Sequence, residues 1–180
     1  MNALILDKSY PSPLLGQMRG QKIIKQLSEP LFPALENFCD LEELDLIAVG
    51  TGPGSYMGVR AAATIAKTLA FAKDLPLIEF PSPLAFLPPG YEGHFVFVGD
   101  AKMGQLFILT GEVRKGQVPI ISPPQLIAPA DLDLTGMDFI VGDGFLPPEP
   151  NLDWVALYVH EQWTQGKTLD ANSLTLTYLR

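Results

Sequence analysis

Residues 44–60 constrain this 180-residue chain more than any other stretch. The apolar run Leu44-Asp-Leu-Ile-Ala-Val-Gly50 reads as a strand, and it passes directly into Thr51-Gly-Pro-Gly-Ser-Tyr-Met-Gly58. From Val59 to Lys73 no Gly or Pro interrupts the chain, so a long helix is predicted from about Tyr56 to Lys73. A glycine-rich turn between strand and helix exposes backbone N–H groups at a helix N-terminus, where an anion is stabilised. Neither phosphate motif fits, however. The P-loop ends in Gly-Lys-Ser/Thr, and no Lys stands there; the dinucleotide fingerprint is Gly-x-Gly-x-x-Gly, whereas Gly50 begins Gly-x-Gly-x-Gly. A tight strand-to-helix turn accounts for the same residues, its glycines supplying unusual φ and ψ. In either reading the turn is Gly52, Pro53, Gly54 and Ser55.

The helix itself has three stripes. Gly58, Ala62, Ala66 and Ala70 recur every four residues, allowing another backbone to come close. Arg60, Thr64, Lys67 and Thr68 form one narrow polar stripe, and the remainder is apolar. A helix apolar nearly all round is buried on more than one side. It is either a central core helix or one whose second side meets a partner subunit.

The neighbouring segments set the fold class. Ala3 to Leu6 reads as a strand ending in Asp7, and residues 13–17 and 21–27 read as a hairpin turning at Gly20. A helix is predicted over 28–40, with Leu31, Phe32, Leu35, Phe38 and Cys39 on one face, and a strand over 75–80. Three strands, helix, strand, helix, strand is an α/β pattern. Beyond it, residues 95–100 and 105–114 read as paired strands, 138–144 as another strand, and 151–165 as a helix. Residues 117–136 are rich in proline and carry few helix signals. Two lobes are expected, 1–80 and a smaller 81–180.

Composition narrows the function. Twelve Lys and Arg against twenty Asp and Glu give a net charge of −8, which is the wrong sign for gripping phosphate backbones unaided. The single Cys39 excludes a disulfide framework, and His94 and His160 alone make a metal site improbable; none is expected. No stretch approaches the ~18 apolar residues of a membrane span. The opening residues lack a basic n-region, so a cytoplasmic chain without a secretory leader is expected.

Gly52-Pro-Gly-Ser-Tyr-Met-Gly-Val-Arg60 with its Ala-rich helix resembles the Gly-Pro-Gly-Ser-Phe-Thr-Gly-Leu/Val-Arg signature of the TsaB (YeaZ) family. Three more segments are similar in the same order: Leu4-Ile-Leu-Asp7, Asp100-Ala-Lys-Met-Gly-Gln-Leu-Phe107, and Gly166-Lys-Thr168 with the closing Tyr178-Leu-Arg180. The resemblance implies an actin-like, Hsp70-like (ribonuclease H-like) ATPase fold with a reduced second lobe. It implies a non-catalytic subunit that pairs with a TsaD-like paralogue, which transfers threonylcarbamoyl to the adenosine beside the tRNA anticodon. A TsaE-like ATPase would dock on the pair, and tRNA would be met only through the complex. The pairing helices would be 28–40 and 56–73, giving Leu31, Leu35, Gly58, Arg60, Ala62, Ala66 and Lys67 as interface residues. Where the family has Asp-Thr-Ser/Ala, this chain has Asp7-Lys8-Ser9. The lysine is expected to neutralise the carboxylate and occupy the phosphate space, so ATP would bind only together with the partner.

Two alternatives stay open on the residues alone. A homodimeric protein would use the same helix face for self-pairing. A kinase-like ATPase would need Asp7 and Asp100 to hold Mg²⁺. A peptidase is opposed by the lack of His-Glu-x-x-His, and Ser55 does not stand in the Gly-x-Ser-x-Gly context of a nucleophile. No catalytic residue is assigned.

Overall fold

The structure is a computed structural model that describes residues 1–11, 13–28, 34–35, 37–142, 149–174 and 176. Its first sheet follows the predicted order. Strands β1 (Asn2–Asp7), β2 (Leu14–Arg19) and β3 (Lys22–Leu27) form an antiparallel meander. Strands β4 (Leu46–Gly50) and β5 (Leu77–Phe80) add in parallel on the other side of β1, giving the order β3-β2-β1-β4-β5. β4 starts two residues later than expected because residues 41–43 form a 3₁₀ turn, with Asp40 accepting the Glu42 N–H at its start. Of the helix expected over 28–40, residues 29–33 and 36 lie outside the described residues; 34–35 are helical, but 37–40 form a turn, with Asn37 and Phe38 N–H donating three residues back to Ala34 and Leu35, so the helix does not reach Asp40.

Helix α1 (Tyr56–Lys73) has the predicted bounds. The Ser55 hydroxyl accepts the Gly58 N–H at 3.2 Å as its N-cap, and Asp74 closes it in the left-handed conformation at φ 52°.

All six residues of β1 are buried, as a central strand covered on both faces must be. Their alternation assigns the layers. Leu4 and Leu6, with Leu15, Ile47 and Val49, pack under α1; Ala3 and Ile5, with Leu46, Ala48 and Phe80, face the second half of the chain.

That second half builds a sheet on the long hairpin of β6 (Gly93–Lys102) and β7 (Gln105–Val113). β10 (Phe139–Gly142) joins β6 in parallel, while β8 (Ile120–Ile121) and β9 (Gln125–Ile127) both pair with β7. The proline-rich 117–136 stretch thus supplies two very short strands and a 3₁₀ turn at Pro129–Asp131. Helix α2 (Asp153–Thr164) returns to the first sheet. Its Val155, Ala156 and Val159 share one core with Ile5, Phe80, Phe95 and Phe97, so a single apolar core joins both sheets.

Candidate functional site

Strand β4 delivers the glycine turn against the end of β1. A Cβ at Gly50 would lie 2.4 Å from the Asp7 Cγ, so the carboxylate occupies the space that any side chain there would need. Gly54 and Gly58 permit a second close approach. Cβ atoms there would stand 2.4 Å from the Ser9 carbonyl oxygen and 1.8 Å from that of Lys8. Three of the turn's N–H groups are engaged inside the chain. Thr51 N–H donates to the Phe80 carbonyl (3.0 Å), Gly52 N–H to the Ser82 hydroxyl (3.0 Å), and Ser55 N–H to the Ser9 carbonyl (2.6 Å). The Gly52–Pro53 peptide is cis. The close approaches at Gly50, Gly54 and Gly58 are those of a packing joint, one of the two sequence readings.

Asp7 is 1% exposed. Its Oδ1 accepts the Ser9 N–H at 2.7 Å and its Oδ2 makes no hydrogen bond. Burial raises its pKa above the ordinary carboxylate value, only partly offset by the backbone and hydroxyl of Ser9, the Ser82 hydroxyl and the Lys8 N–H. The expected neutralisation by the Lys8 ammonium is therefore not what the structure has: Lys8 acts on Asp7 through its backbone alone.

Asp100 has the opposite surroundings. It is exposed at the end of β6, where its Oδ1 accepts the Lys102 N–H at 2.7 Å and its Oδ2 meets the Lys102 ammonium at 2.5 Å. Those contacts lower its pKa. Among the described residues no group of three or more His, Cys, Asp or Glu is placed to hold a metal ion.

The expected interface residues divide. Leu31 lies outside the described residues. Leu35, Gly58, Ala62 and Ala66 are buried in the chain's own α1-side layer, with Ala62 and Ala66 fully inaccessible. The small-residue stripe is thus not open to a partner; it is what lets α1 lie close on β1 and β4. Arg60 is exposed, its guanidinium donating to the Tyr56 hydroxyl at 2.7 Å and lying 5.2 Å from that ring's centroid. Lys67 is half-buried, and its charge adds a little to the hydrogen bonds from Ser173 and Asn172 that lower the pKa of Asp170. Met57 and Phe71 are 71% and 78% exposed. At 100° per residue, Met57, Arg60, Thr64, Lys67, Thr68 and Phe71 share one face. That strip is the surface α1 leaves uncovered.

A cleft of about 1170 Å³ runs between the sheets, past the glycine turn. Tyr10, Phe97, Phe107 and Tyr158 stand in its walls, and Glu79 at the edge strand β5 borders it. Phe97 and Phe107 stack with centroids 5.8 Å apart, and Tyr10 meets Phe97 edge-on at 5.6 Å. Sequence reasoning reached only the glycine turn and Asp100 of this site, because its lining comes from seven separated segments. The signal available was Glu79, the one charge in an otherwise apolar Leu77–Phe80 strand.

The family model described as "TsaD: tRNA N6-adenosine threonylcarbamoyltransferase" matches residues 24–161. The tRNA threonylcarbamoyladenosine biosynthesis protein TsaB of Bacillus subtilis is 35% identical over 106 residues, 57% of this chain and 46% of the relative. The protein of the same name from Haemophilus influenzae is 31% identical over 105 residues, 56% of this chain and 43% of the relative. The chain thus spans about half the length of the curated relatives it matches. Among solved structures, YeaZ from Pseudomonas aeruginosa superposes with a TM-score of 0.79 at 19% identity. A Pseudomonas aeruginosa protein described as similar to peptidase YEAZ gives 0.78 at 22%. Each match covers 99% of both chains, and at such identities what is shared is the fold.

Proposed function

Because this chain belongs to the TsaD family, within its TsaB (YeaZ) branch, we propose that it is a supporting subunit for tRNA threonylcarbamoyladenosine formation, without catalytic residues of its own. Its two-sheet architecture is the actin-like, ribonuclease H-like ATPase fold of the YeaZ structures. In this reading a TsaD-like paralogue transfers threonylcarbamoyl to the adenosine beside the anticodon. The present chain pairs with it, a TsaE-like ATPase joins the pair, and the chain meets tRNA only through the assembly, in the cytoplasm. Among the described residues no helix is long and apolar enough to cross a membrane.

The observation that carries the proposal is the uncovered strip on α1. Two large apolar side chains, Met57 and Phe71, flank Arg60, Thr64, Lys67 and Thr68 on a helix whose other face is fixed to the sheet. A rigid, mixed apolar and cationic strip suits a protein partner. The chemistry of the site agrees. Three of the turn's N–H groups are engaged, Asp7 is buried, and Asp100 is ion-paired, an arrangement that leaves ATP to the assembled complex.

The decisive experiment mixes the chain with the TsaD-like paralogue of the same organism and follows mass by light scattering. A one-to-one complex is expected, weakened at least about tenfold by Phe71→Glu or Arg60→Glu while the thermal midpoint stays put. Association unchanged by both variants would refute the strip as the interface. The same exposed strip favours a homodimer when the paralogue is absent. A self-pair that refuses to exchange into the mixed complex would make homodimerisation the function instead.

A further inference from the structure

Helix α1 carries a charge bias that its fit to the sheet does not require. The chain as a whole is acidic, at −8, yet no Asp or Glu occurs between Tyr56 and Lys73. Three cations do, and they differ in their surroundings. Lys73 is ion-paired with Glu42, and the charge of Lys67 reaches Asp170. Arg60 has no ion pair among the described residues. Its guanidinium is nevertheless held in place. The Tyr56 hydroxyl, one turn back, accepts one of its N–H groups at 2.7 Å, and that ring's centroid lies 5.2 Å away. A side chain ordered before contact loses less freedom on binding, and its remaining N–H groups form a fork that matches a carboxylate. The threonines beside it turn their hydroxyl protons inward. Thr64 donates to the Arg60 carbonyl and Thr68 to that of Thr64, at 2.8 Å each. The strip thus offers the exposed Met57 and Phe71 around one pre-positioned cation that lacks a counter-charge.

We propose that the strip selects a partner protein whose docking face carries an Asp or Glu for Arg60, and that the same charge weakens pairing with a second copy of this chain. The proposal rests on the reading of the strip as the interface and adds to it the chemistry of the opposing face. Two copies packed strip to strip would set Arg60 and Lys67 of one α1 against those of the other, with no α1 carboxylate between them. An acidic face meets attraction at the same point. Met57 and Phe71 select a protein over nucleic acid, since a phosphate backbone would leave two large apolar side chains in water.

The test measures, by sedimentation, self-association of the chain and its association with the TsaD-like paralogue of the same organism, at about 50 and about 500 mM NaCl. Salt is expected to loosen the mixed pair at least about threefold and to tighten the self-pair. Arg60→Glu should also move the two in opposite directions. The mixed pair should loosen at least about tenfold, while the self-pair tightens at least about threefold, because the new carboxylate meets Lys67 of the other copy. A misfolded variant would lose both. Tyr56→Phe should loosen the mixed pair about threefold in the parent chain and leave it unchanged in the Arg60→Glu background, as a residue acting through Arg60 must. Phe71→Ala keeps the strip and the charge proposal apart. It should weaken both pairings, and a mixed pair indifferent to it would refute the strip as the interface and the proposal with it. Where Phe71→Ala does weaken the mixed pair the strip stands, and the charge proposal is overturned if salt shifts both pairs the same way. It is overturned equally if Arg60→Glu self-associates no more than the parent chain, or if tRNA binds the chain alone and Arg60→Glu abolishes that binding.

Discussion

The two sheets each hold a buried apolar strand that ends in an aspartate, β1 in Asp7 and β6 near Asp100, and the two carboxylates end in opposite states. Their local geometry is the same. Each Oδ1 accepts the backbone N–H two residues on, at 2.7 Å in both cases. What differs is what lies beyond the turn. After Asp7 the chain is roofed by β4 and the glycine turn, so desolvation dominates and the pKa rises. After Asp100 the hairpin stands in solvent and places the Lys102 ammonium on the carboxylate, so the pKa falls. A sequence motif sets the turn; the neighbouring strand sets the electrostatics.

The largest effect that would break this contrast comes from Gly50→Ala. The added methyl must displace the Asp7 carboxylate or β4, and a loss of about 3 kcal/mol is expected, read as a lowered urea midpoint at constant m. Asp7→Asn should act in the other direction. It keeps the Oδ1 acceptor and removes a charge that burial disfavours, so a gain of about 1 kcal/mol, or roughly 3 °C, is expected at neutral pH. The pH profile sharpens the point. The folded pKa of Asp7 lies above its unfolded value of 3.8, so the parent chain loses stability as pH rises from 3.8 through the folded value. Asp7→Asn should lack that decline, and a parallel profile in parent and variant would show that Asp7 is not the group responsible. Asp100→Asn should be the smallest change. Its lowered pKa gives a contribution present above 3.8 and lost as pH falls, and solvent at the exposed hairpin screens it, so the midpoint at neutral pH should hardly move.

Much of this was legible in the chain. An uninterrupted run after the glycine turn set α1 at Tyr56–Lys73, and the alternation around Gly20 set the β2–β3 hairpin. Periodicity also identified which α1 residues share a face, but not which face meets the sheet. Small residues allow close approach to any backbone, and the backbone that Gly58 meets belongs to Lys8 of the same chain. β8 and β9 were invisible because two or three residues cannot display a period of two; their partner β7 supplies the ladder. Lys8 misled for a related reason, since adjacency in sequence does not bring an ammonium to a carboxylate when β-geometry turns successive side chains to opposite sides.

The return of α2 to the first sheet has its own consequence. Leu169 pairs with Leu77 along the outer edge of β5, and Leu174 is buried in the layer under α1. The strands of the first sheet therefore wait for residues some ninety positions later before their flank and edge are covered. During synthesis the first sheet leaves Ile78, Phe80 and the rim of β5 open until some ninety later residues have emerged (from Phe80 to Leu174). The first sheet is thus closed by contacts distant in sequence, the kind that form slowly.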